Sequence, residues 1–150
     1  MAEIVIAGIG QTPVGEHWDL SLRELSLQAI EAARADAGGL YPQMLVVGNM
    51  LAPILSHQSH LGALISDFAG LSGIEALTTE AAGASGGAAL RTGFLAIASG
   101  QADVVLVVGV EKFTDQIGSK TDAALASASD SDFEAVQGLT PTAQAAMLMR

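Results

Sequence analysis

The stretch "TEAAGASGGAALRTGFLAIASGQADVVLVVGV", Thr79 to Val110, holds a strand, a turn, a helix and a second strand in immediate succession. The extended run Ile74 to Ala82 leads into the small residues Gly83-Ala84-Ser85-Gly86-Gly87, and a helical pattern follows from Ser85 to Ser99. Gly100 punctuates that helix, after which Asp103 to Val110 is an almost unbroken β-branched apolar run. Such a run reads as a strand buried on both faces. A strand, a crossover helix and another buried strand make a parallel pair, and that decides the fold class.

The upstream sequence repeats the alternation. Ile4 to Ile9 is a short apolar run closed by Gly10 and Pro13 and predicts a buried strand. Ser21 to Ala37 places Leu22, Leu25, Ala29, Ile30 and Ala33 on one helical face, and Gly38-Gly39 stops it. Met44 to Met50 predicts the second strand, and His60 to Leu71 a helix with Leu61, Leu64, Ile65 and Phe68 on one face. The whole predicts an α/β layered domain with a mostly parallel sheet flanked by helices.

The helix from Ser85 is apolar nearly all round, with Arg91 almost alone as a charge, so it predicts burial on every side and a second layer over it. Alone, a chain exposing that helix is expected to be poorly soluble or to associate. Ser119 to Ser131, "SKTDAALASASDS", is small and polar and predicts a boundary or loop. Thr140 and Pro141 predict an N-cap and a first helical position, for a helix running to Arg150 with no stop signal. The expected organisation is an α/β domain over 1–118 and the start of a loop region over 119–150, ending in mid-helix.

Composition narrows the function. With 16 acidic and 6 basic side chains the net charge is −10, which repels a phosphate backbone or an anionic membrane and excludes nucleic-acid binding as an expectation. The absence of cysteine removes disulfides, thiolate metal sites and thiol nucleophiles together. No signal-peptide pattern or membrane-length apolar run is present, so a cytoplasmic location is expected.

Several motifs compete for the chemistry. "GIGQTP", Gly8 to Pro13, departs from G-x-G-x-x-G at Pro13 and stands well before the next helix, so it predicts a structural turn. His57 and His60 have the spacing of two metal ligands but no suitable third, and His17 stands alone, so no metal is assigned. Gly83-Ala84-Ser85-Gly86-Gly87 matches the G-x-S-x-G nucleophile elbow with Ser85 as nucleophile. That triad runs Ser, Asp or Glu, then His, and all three histidines precede Ser85, so this chain cannot complete it in order. Capping of its own helix is the expected role of Ser85. Glu111 follows the strongest strand, where α/β folds place ligands, and reads equally as a ligand group or a turn cap.

With these residues in hand, the chain resembles the N-terminal half of a thiolase-superfamily protein, of the sterol-carrier-protein-type and archaeal acetyl-CoA acetyltransferase branch. The resemblance rests on "IVIAGIGQTPVG", "SHLGALISDFAGL", "EAAGASGGAALRTGFLAIASGQADVVLVVGVEKFTD" and "GLTPTAQAAMLMR". It implies one half of a five-layer αβαβα sandwich, a coenzyme A thioester as substrate with no covalently bound cofactor, and thiolysis or Claisen condensation of 3-oxoacyl-CoA in lipid metabolism. It also implies a homodimer through the strand at Leu77 to Ala82, and a His and a second Cys supplied by a C-terminal half or partner subunit. In the family pattern E-A-A-C-A-S-G-G the acyl-accepting cysteine falls at Gly83, while Glu80, Ala81, Ala82, Ala84, Ser85, Gly86 and Gly87 match.

A thiolate at a helix N-terminus is stabilised by the helix dipole, and small neighbours let an acyl group approach it. Glycine offers no atom to acylate, so the resemblance implies a chain inactive on its own. Two alternatives remain open at this level: a Cys-independent retro-aldol cleavage of CoA esters, and a non-catalytic subunit that binds acyl-CoA or serves as scaffold.

Overall fold

The computed structural model describes residues 3–149. The elements in chain order are α1 (Leu22–Asp36), β1 (Met44–Gly48), α2 (Ala52–Leu55), α3 (Leu61–Phe68), β2 (Glu75–Thr79), α4 (Ser85–Ala98), β3 (Val105–Gly109), α5 (Gly118–Leu125) and α6 (Pro141–Leu148). They fall into two compact units, one formed by the chain up to Met50 with Ser59–Glu111, the other by Leu51–Gln58 with the chain from Lys112 onward.

In the first unit the described strands form one parallel sheet in the order β2-β1-β3. Central β1 is buried throughout, and Leu45, Val46 and Val47 are wholly inaccessible to solvent. Each such side chain contributes about 1.5–3 kcal/mol of hydrophobic stabilisation. In register, Val46 stands between Leu77 and Val107, and these three pack with Met44, Ala89, Ala96 and Val105 on the α4 side. Thr78 faces the other side, where its Oγ1 accepts from the Gly62 N–H of α3 at 2.9 Å, and α1 packs beside α3. The chain steps from β1 out to β2 through α3, then back past β1 to β3 through α4. A single crossover hand puts those two helices on opposite faces.

Glycines set how closely α4 approaches the sheet. A Cβ on Gly48 would stand 2.6 Å from the Ser85 carbonyl oxygen, and one on Gly93 would stand 2.9 Å from Val107 Cγ2. The first turn of α4 therefore rests on the C-terminal end of β1. Only one face of α4 is buried, through Ser85, Ala89, Gly93 and Ala96. The expected cover on every side is not provided within the described residues: Leu90, Phe94 and Leu95 are 57%, 53% and 45% exposed.

Helix α1 starts at a capping box. Ser21 Oγ accepts from the Glu24 N–H, and the Glu24 carboxylate accepts from both the hydroxyl and the N–H of Ser21. Those two bonds, the hydroxyl's first, hold the Glu24 carboxyl below the usual glutamate value.

The strand expected near the N-terminus is also corrected. Ile4 to Ile9 forms no strand, and Val5, Ile6 and Ile9 are largely exposed. The segment lies against α1 instead: added Cβ atoms on Gly8 and Gly10 would stand 2.6 Å from Ala33 O and 2.3 Å from Ala29 O. The Ile9 N–H donates to Asp36 Oδ2 at 2.9 Å, so it is taken by a carboxylate and not by a sheet ladder. This close packing is what the glycines of "GIGQTP" serve, and the stretch runs along α1 without forming the expected turn.

In the second unit, Ser119 to Ser131 is largely helical and not a loop, comprising most of α5 and a 3-10 turn at Ala126–Ala128. Alanine favours helix, and burial of Ala124 and Ala126 outweighs the polar composition of the stretch. Thr140 is the N-cap of α6, its Oγ1 accepting from the Ala143 N–H at 3.2 Å, with Pro141 at the first helical position. Arg150, to which that helix was expected to run, lies outside the described residues.

Gly48→Ala forces backbone against backbone and is expected to lower stability by about 2 kcal/mol in urea denaturation. Gly87→Ala, in a helix and with open space around the new methyl, is expected to raise it by about 0.5 kcal/mol. For Glu24, a lowered carboxyl value stabilises the fold above the unfolded value, and the contribution is lost as pH falls through the folded one. The gap in urea midpoint between wild type and Glu24→Gln is therefore expected to be widest near neutrality and to close in acid.

Candidate functional site

The C-terminal strand ends of the first unit converge on the turn between β2 and α4. Thr79 leads through Glu80 and Ala81 into a 3-10 turn, Ala82–Ala84, which runs directly into α4. Ala82 adopts φ 48°, a left-handed conformation costing an L-residue about 1–2 kcal/mol. The surrounding bonds offset that strain. The Ala82 N–H donates to the Glu80 carboxylate, and the Ala84 N–H donates to Ala81 O at 2.9 Å. Ser85 Oγ accepts from the Ala81 N–H at 3.0 Å and donates to Ala82 O at 2.7 Å.

This geometry revises the role expected of Ser85. Its hydroxyl does not cap α4, whose N-cap position is Ala84 and which has no side-chain cap bond. It points back into the turn because its residue is already the first of the helix and is only 6% exposed. Its donor is taken by Ala82 O and it accepts from Ala81, so the bonds of the hydroxyl serve the turn and none goes to a histidine as the nucleophile elbow requires.

Gly83 stands at the exposed crest of this turn, and a Cβ built on it has no atom within 4 Å outside its chain neighbours. Its φ lies outside the left-handed region, so an ordinary side chain fits there without strain. Ala84, Gly86 and Gly87 are also exposed, and a Cβ on Gly86 or Gly87 would be equally free. Position 83 stands two residues before the first residue of the 14-residue α4, among small residues. Such a place stabilises an anion such as a thiolate.

Glu111 lies past β3 and is tied to the end of β1. One carboxylate oxygen accepts from Asn49 Nδ2 at 2.8 Å and the other from the Met50 N–H at 3.0 Å. Asn49 Nδ2 also donates to Val110 O at 2.8 Å, and Asn49 is 3% exposed. The Asn49–Glu111 pair thus clamps the two strand ends that carry the first turn of α4. Sequence reading missed Asn49, though a lone amide closing the apolar run "MLVVGN" was its available signal. Glu80 was likewise read only as part of a motif, and its carboxylate serves the turn.

His57 and His60 are both exposed with left-handed backbone, and His17 Nε2 donates to Pro13 O at 2.7 Å. Among the described residues no group of three His, Cys, Asp or Glu can hold a metal ion, and no helix is long and apolar enough to cross a membrane.

The fold is shared with 3-oxoacyl-[acyl-carrier-protein] synthase III from Aquifex aeolicus VF5. That likeness has a TM-score of 0.60 at 21% identity, over 67% of this chain and 32% of that one, and it concerns the fold alone. A parallel α/β unit with a small-residue turn at the start of a central helix is therefore the thiolase-like class of architecture. More specifically, the chain belongs to the thiolase family, its residues 4–149 matching the thiolase N-terminal domain. It is 43% identical over 152 residues to an acetyl-CoA acetyltransferase of Methanothermobacter thermautotrophicus, and 43% over 155 residues to one of Methanocaldococcus jannaschii. All of this chain aligns with each, but only 39% and 38% of their lengths, so it spans about two fifths of these relatives.

Removing the clamp by Asn49→Ala leaves the Val110 carbonyl and the Glu111 carboxylate each short of a donor. It is expected to cost about 2 kcal/mol in urea denaturation. Glu111→Gln, which keeps an oxygen acceptor, is expected to cost less.

Proposed function

We propose that this chain is the N-terminal, nucleophile-turn portion of a thiolase-type acyltransferase acting on coenzyme A thioesters. In it, Gly83 occupies the position of the acyl-accepting cysteine. The observation that carries the reading is the turn itself: a strained, hydrogen-bonded bend that leads directly into α4, with open space around position 83 two residues before the helix starts.

With a cysteine there, the thiolate attacks the thioester carbonyl, the coenzyme A thiolate leaves, and an acyl-enzyme forms. An acetyl-CoA carbanion then takes the acyl group, which is Claisen condensation. In thiolysis the thiolate instead attacks the 3-oxo carbonyl of a 3-oxoacyl-CoA, an acetyl-CoA carbanion leaves and is protonated, and the thiol of coenzyme A takes the acyl group. Ala84, Gly86 and Gly87 leave room for the acyl group. With Gly83 no bond to the acyl carbon can form, and loss of a nucleophile costs several orders of magnitude in rate. The chain as it stands binds or supports; it does not turn over.

The surrounding surfaces agree with the rest of this reading. The exposed Leu90, Phe94 and Leu95 face of α4 suits a covering layer from a C-terminal thiolase half in a five-layer sandwich, with a His and a Cys supplied there. Strand β2 is at the edge of the described sheet, which suits strand pairing in a homodimer near Leu77 to Ala82. The setting is cytoplasmic lipid metabolism.

Mass spectrometry after incubation with acetyl-CoA tests the reading. Wild type is expected to gain no acetyl group at residue 83, and Gly83→Cys is expected to gain one on that cysteine. An acyl adduct on the wild-type turn, or none on the folded Gly83→Cys chain, overturns it.

A further inference from the structure

We propose that Ser85 is the positioning residue of the turn: its hydroxyl locks Ala82 in the left-handed conformation and so fixes residue 83 just ahead of α4. The inference rests on the thiolate-turn reading above for its chemical consequence, but its structural content stands on the hydrogen bonds alone.

An alanine at φ 48° persists only where its surroundings over-determine it. Four bonds do so here. The Ala82 N–H is held by Glu80 and the Ala84 N–H by Ala81 O, while the two made by Ser85 Oγ grip the 80–81 peptide through its N–H and the 82–83 peptide through its carbonyl, so that they span the dihedral angles of Ala81 and Ala82 together. Glu80 is exposed and free to trade its bond with water, whereas Ser85 is buried, so the hydroxyl is the fixed member of the set. Ser85 is itself anchored, because its backbone carbonyl lies where a Cβ on Gly48 would be. A rigid path thus runs from β1 through Ser85 to Ala82 and on to residue 83.

That path matters because the helix field falls off within the first turn. If Ala82 relaxes to a right-handed or extended conformation, the 82–83 peptide swings and a side chain at 83 leaves the amide end of α4. Ser85 therefore acts on chemistry through geometry, touching neither substrate nor acyl group.

Two measurements test this on the folded chain. Amide hydrogen exchange at Ala81 and Ala84 is expected to speed up about tenfold or more in Ser85→Ala, with β1 amides unchanged. In the Gly83→Cys background, alkylation by iodoacetamide at pH 6.5 is expected to slow about tenfold when Ser85→Ala is added, as the thiol returns toward ordinary acidity. Ser85→Thr is expected to restore both readouts and its isostere Ser85→Val neither, which separates the hydroxyl from side-chain volume. Unchanged exchange in the folded Ser85→Ala or Ser85→Val chain overturns the proposal. If exchange responds but the Gly83→Cys thiol titrates like a free cysteine in every background, the positioning of the turn holds and the thiolate-turn reading fails.

Discussion

The contact between the first turn of α4 and the glycine-ended strands beneath it is the constraint on which the first unit depends. Gly48 brings the Ser85 backbone within a distance that no Cβ would permit, and Gly109 lies below Gly86. The Asn49–Glu111 clamp keeps β1 and β3 together beneath that contact. The turn's geometry follows from this seat, since Ser85 is at once the start of the helix and the residue whose hydroxyl grips Ala81 and Ala82. Backbone proximity, strand-end polar bonding and a strained bend form one continuous arrangement in which each part limits the freedom of the next.

Much of this was legible in the sequence, and the reasons are specific. Val105 to Gly109 and Met44 to Gly48 lie inside apolar β-branched runs because both faces of their strands meet helices, so composition alone identifies them. The small residues from Gly83 to Gly87 marked the turn because such a cluster between a strand pattern and a helix pattern punctuates the chain in any fold. Thr140 and Pro141 announced a helix start because their local chemistry is the same in any fold. Where reading failed, the deciding contact was distant in sequence. Ile4 to Ile9 has strand composition, but its glycines fit against Ala29 and Ala33 of α1, and no local pattern reports that. Ser85 looked like a cap because caps are the common use of serine at a helix start, whereas its partners lie three and four residues upstream in a bend whose left-handed alanine is unusual. Asn49 and Glu111 are 62 residues apart, and neither suggests the other.

Charge has little part in the site. The chain's net charge is −10, but the field at the turn comes from peptide dipoles, aided by small residues that keep bulk away. Glu80 contributes as a hydrogen-bond acceptor for a backbone amide. A site built in this way relies on the direction of its amides more than on any single ionised partner.

Gly83 has open space, an unstrained backbone and no packing duty, while every residue that shapes its surroundings is fastened to the sheet or to the turn. Folding and side-chain chemistry are therefore separable at this position: one codon decides which side chain the bend carries, and no packed neighbour has to move to admit it. A lineage of such chains can change the side chain at this turn without first repairing its core.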